Sequence, residues 1–136
     1  MRTDVILNKI SIIERCINRV LDVYDDNPDN LEDYTKQDSI ILNIQRACEA
    51  SIDLAMHIVA EKKLGLPQAS REAFDMLQQE GIIDLKLAKH LKAMVGFRNI
   101  AVHDYQTINL DILEQIIAKH LDDFRTFTKA ILTYNA

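Results

Sequence analysis

The segment at residues 98–105 has the sequence Arg-Asn-Ile-Ala-Val-His-Asp-Tyr. Within about two helical turns it therefore carries a guanidinium, an amide, an imidazole, a carboxylate and a phenol. An arginine near a histidine suits cleavage of a phosphodiester without a metal. The guanidinium binds a phosphate through two parallel hydrogen bonds and neutralises developing charge, while the imidazole moves protons to and from the reacting oxygens. Arg98 and His103 are therefore the candidate catalytic pair.

The spacing of these residues on a helix decides which of them share a face. Asn99 and His103 lie one turn apart on the same face, whereas Arg98 is rotated by about 140° from His103 and must reach the same cleft with its long side chain. Ile100 and Val102 are predicted to point into the protein. In the last turn of a helix, His103 is placed where the helix dipole favours an imidazolium. A purely structural alternative stays open, in which Arg98 pairs with an acid and His103 caps the helix end.

The bulk composition predicts one intracellular domain spanning residues 1–136. A hydrophobic content of 48% is enough for a core, and no apolar run approaches a membrane span or a signal peptide. Cys16 and Cys48 fall in predicted helices and are interpreted as buried thiols of a cytoplasmic protein. A net charge of −5 argues against a broad nucleic-acid-binding surface, so any cationic patch must be local.

Helical periodicity predicts five helices and no strand, which gives an all-α antiparallel bundle. Thr35, with Asp38 three residues later, is the predicted N-cap of the second helix, and Ser70 caps the third. The second helix, at about 28 residues, is about 42 Å long and leaves surface for a partner. The predicted helices run from about Asp4 to Tyr24, from Thr35 to about Lys62, from Ser70 to about Glu80, from Asp84 to His103, and from Asn109 or Thr107 through Ile131.

A second polar set, Glu49, Asp53 and His57, repeats every four residues on the second helix. The favoured interpretation is a polar seam with an Arg46–Glu49 pair. Alternatively, Glu49 or Asp53 faces the cleft and orients Arg98 or His103.

A metal site on the same stripe would need ligands from another element. Glu114 and His120 are available, but their spacing does not demand a metal, so none is predicted. His57 and His120 are expected at the surface.

The string RNIAVHDY resembles the R-x4-H-x-Y signature of the HepT-like toxins of the HEPN superfamily. The stretches QDSIILNIQRACEASIDLA and LGLPQASREAF, at residues 37–55 and 64–74, also look like that family. The helical layout and the length agree with it as well, so the resemblance covers essentially the whole chain.

This resemblance implies an all-α homodimer of the HEPN type, in which the motifs of two protomers face a shared cleft. It implies a toxin of a toxin–antitoxin pair that cleaves RNA, tRNA among the targets, without a metal or other cofactor. By position, Arg98 and His103 are the catalytic pair and Asn99 is a supporting residue. Tyr105 matches the tyrosine that a minimal nucleotidyltransferase antitoxin modifies with AMP.

Two other functions remain open at this stage. The chain could be a non-catalytic nucleotide-binding or adaptor module that partners a nucleotidyltransferase, with Arg98 holding a nucleotide phosphate. It could also be a structural bundle that only dimerises, although the clustering in residues 98–105 makes this the weakest of the three. Toxicity on expression that His103→Ala relieves would favour the ribonuclease over both.

Overall fold

The computed structural model describes residues 3–135, which form helices and turns without a strand. This confirms the predicted all-α class and each of the five predicted helical segments. Two short 3₁₀ turns, Pro28–Glu32 and Tyr105–Thr107, connect longer helices. The helices are α1 (Thr3–Tyr24), α2 (Tyr34–Glu61), α3 (Ser70–Gln79), α4 (Leu85–His103), α5 (Leu110–Gln115) and α6 (Leu121–Asn135), and a π-helical segment (Ile116–His120) joins the last two.

Helices α1 and α2 form an antiparallel hairpin that carries much of the bundle. Lys9 Nζ lies 3.0 Å from Asp53 Oδ2 across the open end of the hairpin. At the closed end, the Asn30 side chain donates a 2.8 Å hydrogen bond to the carbonyl of Tyr24. Helix α2 also packs against α3 and α4, so its 28 residues are the central element of the fold.

The core is mainly aliphatic, as the repeated Ile and Leu residues predict. Phe74 of α3 and Phe127 of α6 meet edge to face with ring centroids 5.7 Å apart, which ties these helices together. Cys16 and Cys48 are both buried free thiols, as predicted, and burial raises the pKa of each. None of the helices within residues 3–135 is long and apolar enough to cross a membrane.

The N-cap of α2 is Asp33, not Thr35 as the sequence suggested. Asp33 has an extended backbone, and its side chain accepts a 3.0 Å hydrogen bond from the Lys36 N–H. The same residue follows the 3₁₀ turn, so it ends one helical segment and begins the next. Asp38 is consequently not needed in a capping box and is free to contact another element.

The predicted capping of α3 by Ser70 is also wrong, because Ser70 is the first helical residue. Ala69 occupies the cap position without a side-chain hydrogen bond. The Glu72 carboxylate instead accepts a 2.7 Å hydrogen bond from the Gln68 N–H just before the helix. Asp84 does cap α4, and its side chain accepts from the Leu87 N–H at 2.8 Å.

The fifth predicted helix is interrupted by the π-helical segment. Asn109 caps α5 as predicted, accepting a 2.8 Å hydrogen bond from the Asp111 N–H. However, Ile112 is 56% exposed, although its spacing from Ile116 and Phe124 predicts that it lies on the same buried face as they do. A π-helical segment holds more residues per turn than an α-helix, so residues before it lose alignment with the stripe formed by Phe124 and Phe127 after it.

Candidate active site

The end of α4 that carries residues 98–105 is held against the N-terminal half of α2. The two helices are antiparallel: Cys48 Sγ donates to the Met94 carbonyl at 3.6 Å, and Tyr105, just after α4, donates its phenolic proton to the Asp38 carboxylate. The long second helix thereby contacts α4 about one turn before the motif and contacts the motif again at its last residue.

Arg98 is half-buried on this packed surface and has a donor without a partner. Its Nε is buried and makes no hydrogen bond within residues 3–135, and no carboxylate there lies within ion-pairing distance of its guanidinium. Buried donors are normally paired, and an unpaired one costs about 1–3 kcal/mol. The alternative in which Arg98 pairs with an acid of the same chain is therefore not supported. The guanidinium is available to an anion from outside.

His103 is the last residue of α4 and its side chain is exposed. The Asp104 N–H donates a 2.8 Å hydrogen bond to the Ile100 carbonyl, which ends the helix directly behind the imidazole. Arg98 and His103 are five positions apart, which is about 7.5 Å along the helix axis. An exposed imidazole and a half-buried guanidinium without a carboxylate partner can, at this separation, contact one phosphodiester from two positions.

Tyr105 opens the 3₁₀ turn after α4 and is 38% exposed. Burial of the phenol, together with its hydrogen bond to the Asp38 carboxylate and the charge of that group, raises the pKa of Tyr105. The phenol is thus protonated and oriented by a neighbouring base while remaining accessible. Sequence reasoning missed Asp38, because the two residues lie 67 positions apart and no local pattern links them.

A groove of about 790 Å³ runs beside the motif between α4 and α5. Asn99 and Ile100 line it from α4, and Asn109 lines it from the start of α5. Ile100 and Val102 are 45% and 46% exposed, so the prediction that they point into the protein is wrong. Ala101 between them is buried and faces the core instead. The motif is therefore flanked by apolar side chains that are open to solvent.

Close approach of Arg71 to α4 shapes the far wall of this groove. Arg71 Nε donates to the Lys92 carbonyl at 3.3 Å. A Cβ atom on Gly96 would lie 2.9 Å from the Arg71 guanidinium, so the glycine makes room for that side chain. Arg71 adds a second positive charge near the groove.

The carboxylates of the polar stripe on α2 are bound by residues other than Arg98 and His103. Glu49 accepts a 3.1 Å hydrogen bond from Gln45, in place of the predicted pair with Arg46. Asp53 is bound by Lys9 of α1, on the side of α2 that faces that helix. Neither carboxylate contacts Arg98 or His103 among residues 3–135. The prediction that Glu49 or Asp53 orients Arg98 or His103 is therefore not supported by any contact in this part of the chain.

The two histidines expected at the surface are both partly enclosed. His57 has only 17% of its side chain exposed, and its buried Nε2 has no hydrogen-bond partner within residues 3–135. Glu61, at 4.0 Å, is too far for a hydrogen bond. His120 is about one-third exposed and lies 2.9 Å from an oxygen of Asp123. Its partners are therefore not Glu114 but a cluster that the sequence did not reveal.

Comparisons with known proteins place the chain in a family. The model of the family described as Ribonuclease HepT-like matches residues 13–131. The chain is 52% identical to an mRNA nuclease HepT from Shewanella oneidensis over 94% of this chain and 96% of that protein. It is 30% identical to a tRNA nuclease HepT from Aphanizomenon flos-aquae over 67% of this chain and 62% of that protein.

A solved structure extends the similarity to three dimensions. A tri-AMPylated HEPN toxin from Shewanella oneidensis, in complex with an MNT antitoxin, superposes with a TM-score of 0.92. The two sequences are 51% identical, and the match covers 96% of this chain and 98% of that one. Sequence and fold therefore point to the same group of proteins.

Proposed function

Because this chain belongs to the Ribonuclease HepT-like family and is an endoribonuclease, we propose that it is the toxin of a toxin–antitoxin pair and cleaves cytoplasmic RNA with Arg98 and His103. The observation that carries this proposal is the half-buried guanidinium of Arg98, which has no carboxylate partner among residues 3–135, five positions before the exposed His103. Such a guanidinium can bind an anion, and the phosphate of an RNA backbone is one.

The proposed reaction is attack of the RNA 2′-hydroxyl on the adjacent phosphorus. The O–P bond to the 5′-oxygen of the next nucleotide breaks, which leaves a 2′,3′-cyclic phosphate and a 5′-hydroxyl. His103 moves the protons between the attacking and leaving oxygens. Arg98 stabilises the extra negative charge on the phosphoryl oxygens. No metal is needed in this scheme, because both roles belong to side chains.

We propose that the active form is a homodimer in which the groove-side end of α4 meets its counterpart. Ile100, Val102 and Ile112 are exposed apolar side chains close to the motif, and a second copy would bury them. The dimer would bring two guanidiniums and two imidazoles together in one cleft. This local concentration of positive charge offsets the net charge of −5, which otherwise repels RNA. Asn99, half-buried on the groove wall, supports the cleft.

Control of the enzyme is proposed to act through Tyr105, by transfer of AMP from ATP in the active site of a partner nucleotidyltransferase. The phenolic oxygen attacks the α-phosphorus, the bond to pyrophosphate breaks, and Asp38 is the adjacent acceptor for the phenolic proton. The attached AMP places a negative phosphate two residues from His103, where it competes with RNA for Arg98. The relative that is AMPylated and bound to an antitoxin supports this mode of control.

Two relatives, one named as an mRNA nuclease and one as a tRNA nuclease, suggest candidate RNA substrates. We propose tRNA as a target, in line with the relative named as a tRNA nuclease. The more similar relative is named as an mRNA nuclease, which makes mRNA the competing substrate. Both classes share the 2′-hydroxyl and phosphate that the proposed chemistry requires.

The proposal is tested on unmodified protein expressed without an antitoxin. Light scattering should give twice the mass of one chain, and cleavage of RNA should continue in excess EDTA with 2′,3′-cyclic phosphate ends. Purified tRNA and an mRNA transcript, cleaved in parallel, distinguish the two targets. An absence of cleavage on both would instead favour the nucleotide-binding adaptor. Cleavage that stops in EDTA while circular dichroism shows the protein still folded, and that returns with a divalent cation, would contradict the metal-free scheme.

A further inference from the structure

Three side chains outside residues 98–105 converge between α4 and the helical segments that follow the groove. Asp123 Oδ1 lies 3.2 Å from His90 Nδ1, and Asp123 Oδ2 lies 2.9 Å from His120 Nδ1. The two imidazole rings meet edge to face with centroids 5.1 Å apart. One potential ligand atom from each residue lies within 4.8 Å of the other two. The cluster thus gathers two nitrogen ligands and one oxygen ligand around a single point.

We propose that His90, His120 and Asp123 form a Zn²⁺-binding site. Zinc bonds of about 2.0–2.2 Å in a tetrahedron place the ligand atoms about 3.3–3.6 Å apart. His90 Nδ1 and His120 Nδ1 each lie near that distance from Asp123, but from different carboxylate oxygens, at 3.2 Å from Oδ1 and 2.9 Å from Oδ2. With one ligand atom from each residue, all three atoms lie within 4.8 Å of one another, and rotation of the carboxylate and of the two imidazoles, which are about one-third exposed, would bring them to that spacing. Three protein ligands leave the fourth position to water.

The position of the cluster supports a bound ion rather than a chance surface contact. Both histidines line the groove, so an ion and its water can enter from solvent. Asp123 is only 15% exposed, which encloses the ion on the protein side. Imidazole and carboxylate are ligands typical of zinc, and neutral histidine is its commonest nitrogen ligand.

The π-helical segment is an independent reason to expect a site here. Residues 116–120 contain neither Gly nor Pro, yet the helix widens over them and returns to α geometry directly after His120. π-helical turns are rare, and they are frequent at functional sites. This one sets the orientation of His120 relative to Asp123, three residues later, and both side chains face His90.

A bound Zn²⁺ would connect His90 on α4 with His120 at the end of the π-helical segment. The ion replaces the two imidazole–carboxylate hydrogen bonds, and each neutral imidazole then carries its proton on Nε2. His90 precedes His103 by 13 residues, about 20 Å along α4, so this ion would stand apart from the cleavage chemistry. Its role is to stabilise the groove, and the inference does not depend on the proposed RNA cleavage.

The test uses tag-free protein, stripped with EDTA and dialysed, and measures Zn²⁺ binding by isothermal titration calorimetry and by thermal unfolding. We expect one Zn²⁺ per chain and a rise in Tm with added Zn²⁺, since a ligand that binds only the folded state stabilises it. His120→Ala and Asp123→Asn should each weaken binding by more than about tenfold, because even outer contacts of a zinc site have that effect. Both variants should lose the rise in Tm.

His103→Ala is the matched control, because it removes an exposed histidine of α4 outside the cluster. It should bind Zn²⁺ as the unaltered protein does. Co²⁺ gives a second readout, since tetrahedral Co²⁺ with these ligands absorbs visible light and octahedral surface-bound Co²⁺ absorbs only weakly. Circular dichroism verifies that each variant is folded. The inference is overturned if the stripped protein takes up no Zn²⁺, or if folded His120→Ala and Asp123→Asn both bind it as tightly as the control.

Discussion

Replacing His103 with Ala should lower the rate of RNA cleavage by about 10²–10⁴-fold, the usual contribution of a positioned proton-transfer group. His103 is exposed at the end of α4, so its removal should leave the fold intact and change stability by no more than about 0.5 kcal/mol. The measurement is a single-turnover cleavage assay on labelled RNA, with Tm determined on the same preparation. The large loss of rate with an unchanged Tm separates a chemical role from a structural one.

The matched control for this variant is Lys89→Ala, which alters another exposed residue of the same helix far from the motif. It should cleave RNA at close to the original rate. If His103→Ala also cleaves at the original rate, the imidazole is not the proton-transfer group and the mechanism is wrong. Expression offers an independent readout, because the variant should relieve any toxicity of the unaltered chain.

Arg98→Ala should reduce cleavage by about 10²–10³-fold, because an arginine that stabilises charge in the transition state acts like a lost oxyanion donor. Arg98→Lys should recover only part of that loss. Lysine keeps the charge but offers no planar fork for two parallel hydrogen bonds. It also cannot supply the Nε donor that is buried and unpaired in this structure. The order of rates should therefore be Arg, then Lys, then Ala.

Steady-state constants show whether Arg98 acts in the reaction or only in RNA binding. Loss of transition-state stabilisation lowers kcat and kcat/KM together, whereas loss of uniform binding raises KM at constant kcat. Arg125→Ala is the control for the removal of one positive charge, since Arg125 pairs with Asp122 on α6. A rise in KM alone for Arg98→Ala would contradict the catalytic role, and so would full activity of Arg98→Lys.

Helix α1 was predictable because its apolar residues lie on one periodic face. Ile6, Ile10, Ile13 and Ile17 recur at steps of three and four, and all four are buried. Their period alone determines that this segment is a helix and which face it buries. The caps were less secure, because several short polar residues compete at each helix start. Asp33 rather than Thr35 caps α2, for example, since the preceding 3₁₀ turn ends at that residue.

The motif at residues 98–105 was found from sequence because its residues are close together in the chain. The residue that the motif contacts on another helix could not be found in this way, because Asp38 and Tyr105 are 67 positions apart in the chain. The same holds for the pair outside the motif, His90 and Asp123, which are 33 positions apart. The π-helical segment has no sequence signal that distinguishes it from an α-helix. The exposure of Ile100 and Val102 likewise depends on which face of α4 the other helices leave open.

AMP transfer to Tyr105 and the loss of RNA cleavage that should follow from it can be measured in one experiment. The protein is incubated with a cognate nucleotidyltransferase and ATP, mapped by peptide mass spectrometry and assayed for RNA cleavage beside untreated protein. Tyr105→Phe is the matched control, because it lacks only the acceptor oxygen and loses its hydrogen bond to Asp38. Asp38→Asn is included because loss of the carboxylate should slow the transfer.

We expect mass to be added in AMP units at Tyr105, with cleavage lost in proportion to the modified fraction. Tyr105→Phe should remain unmodified at this position and stay active. AMP found only on other residues, or full cleavage by protein modified at Tyr105, would contradict the account.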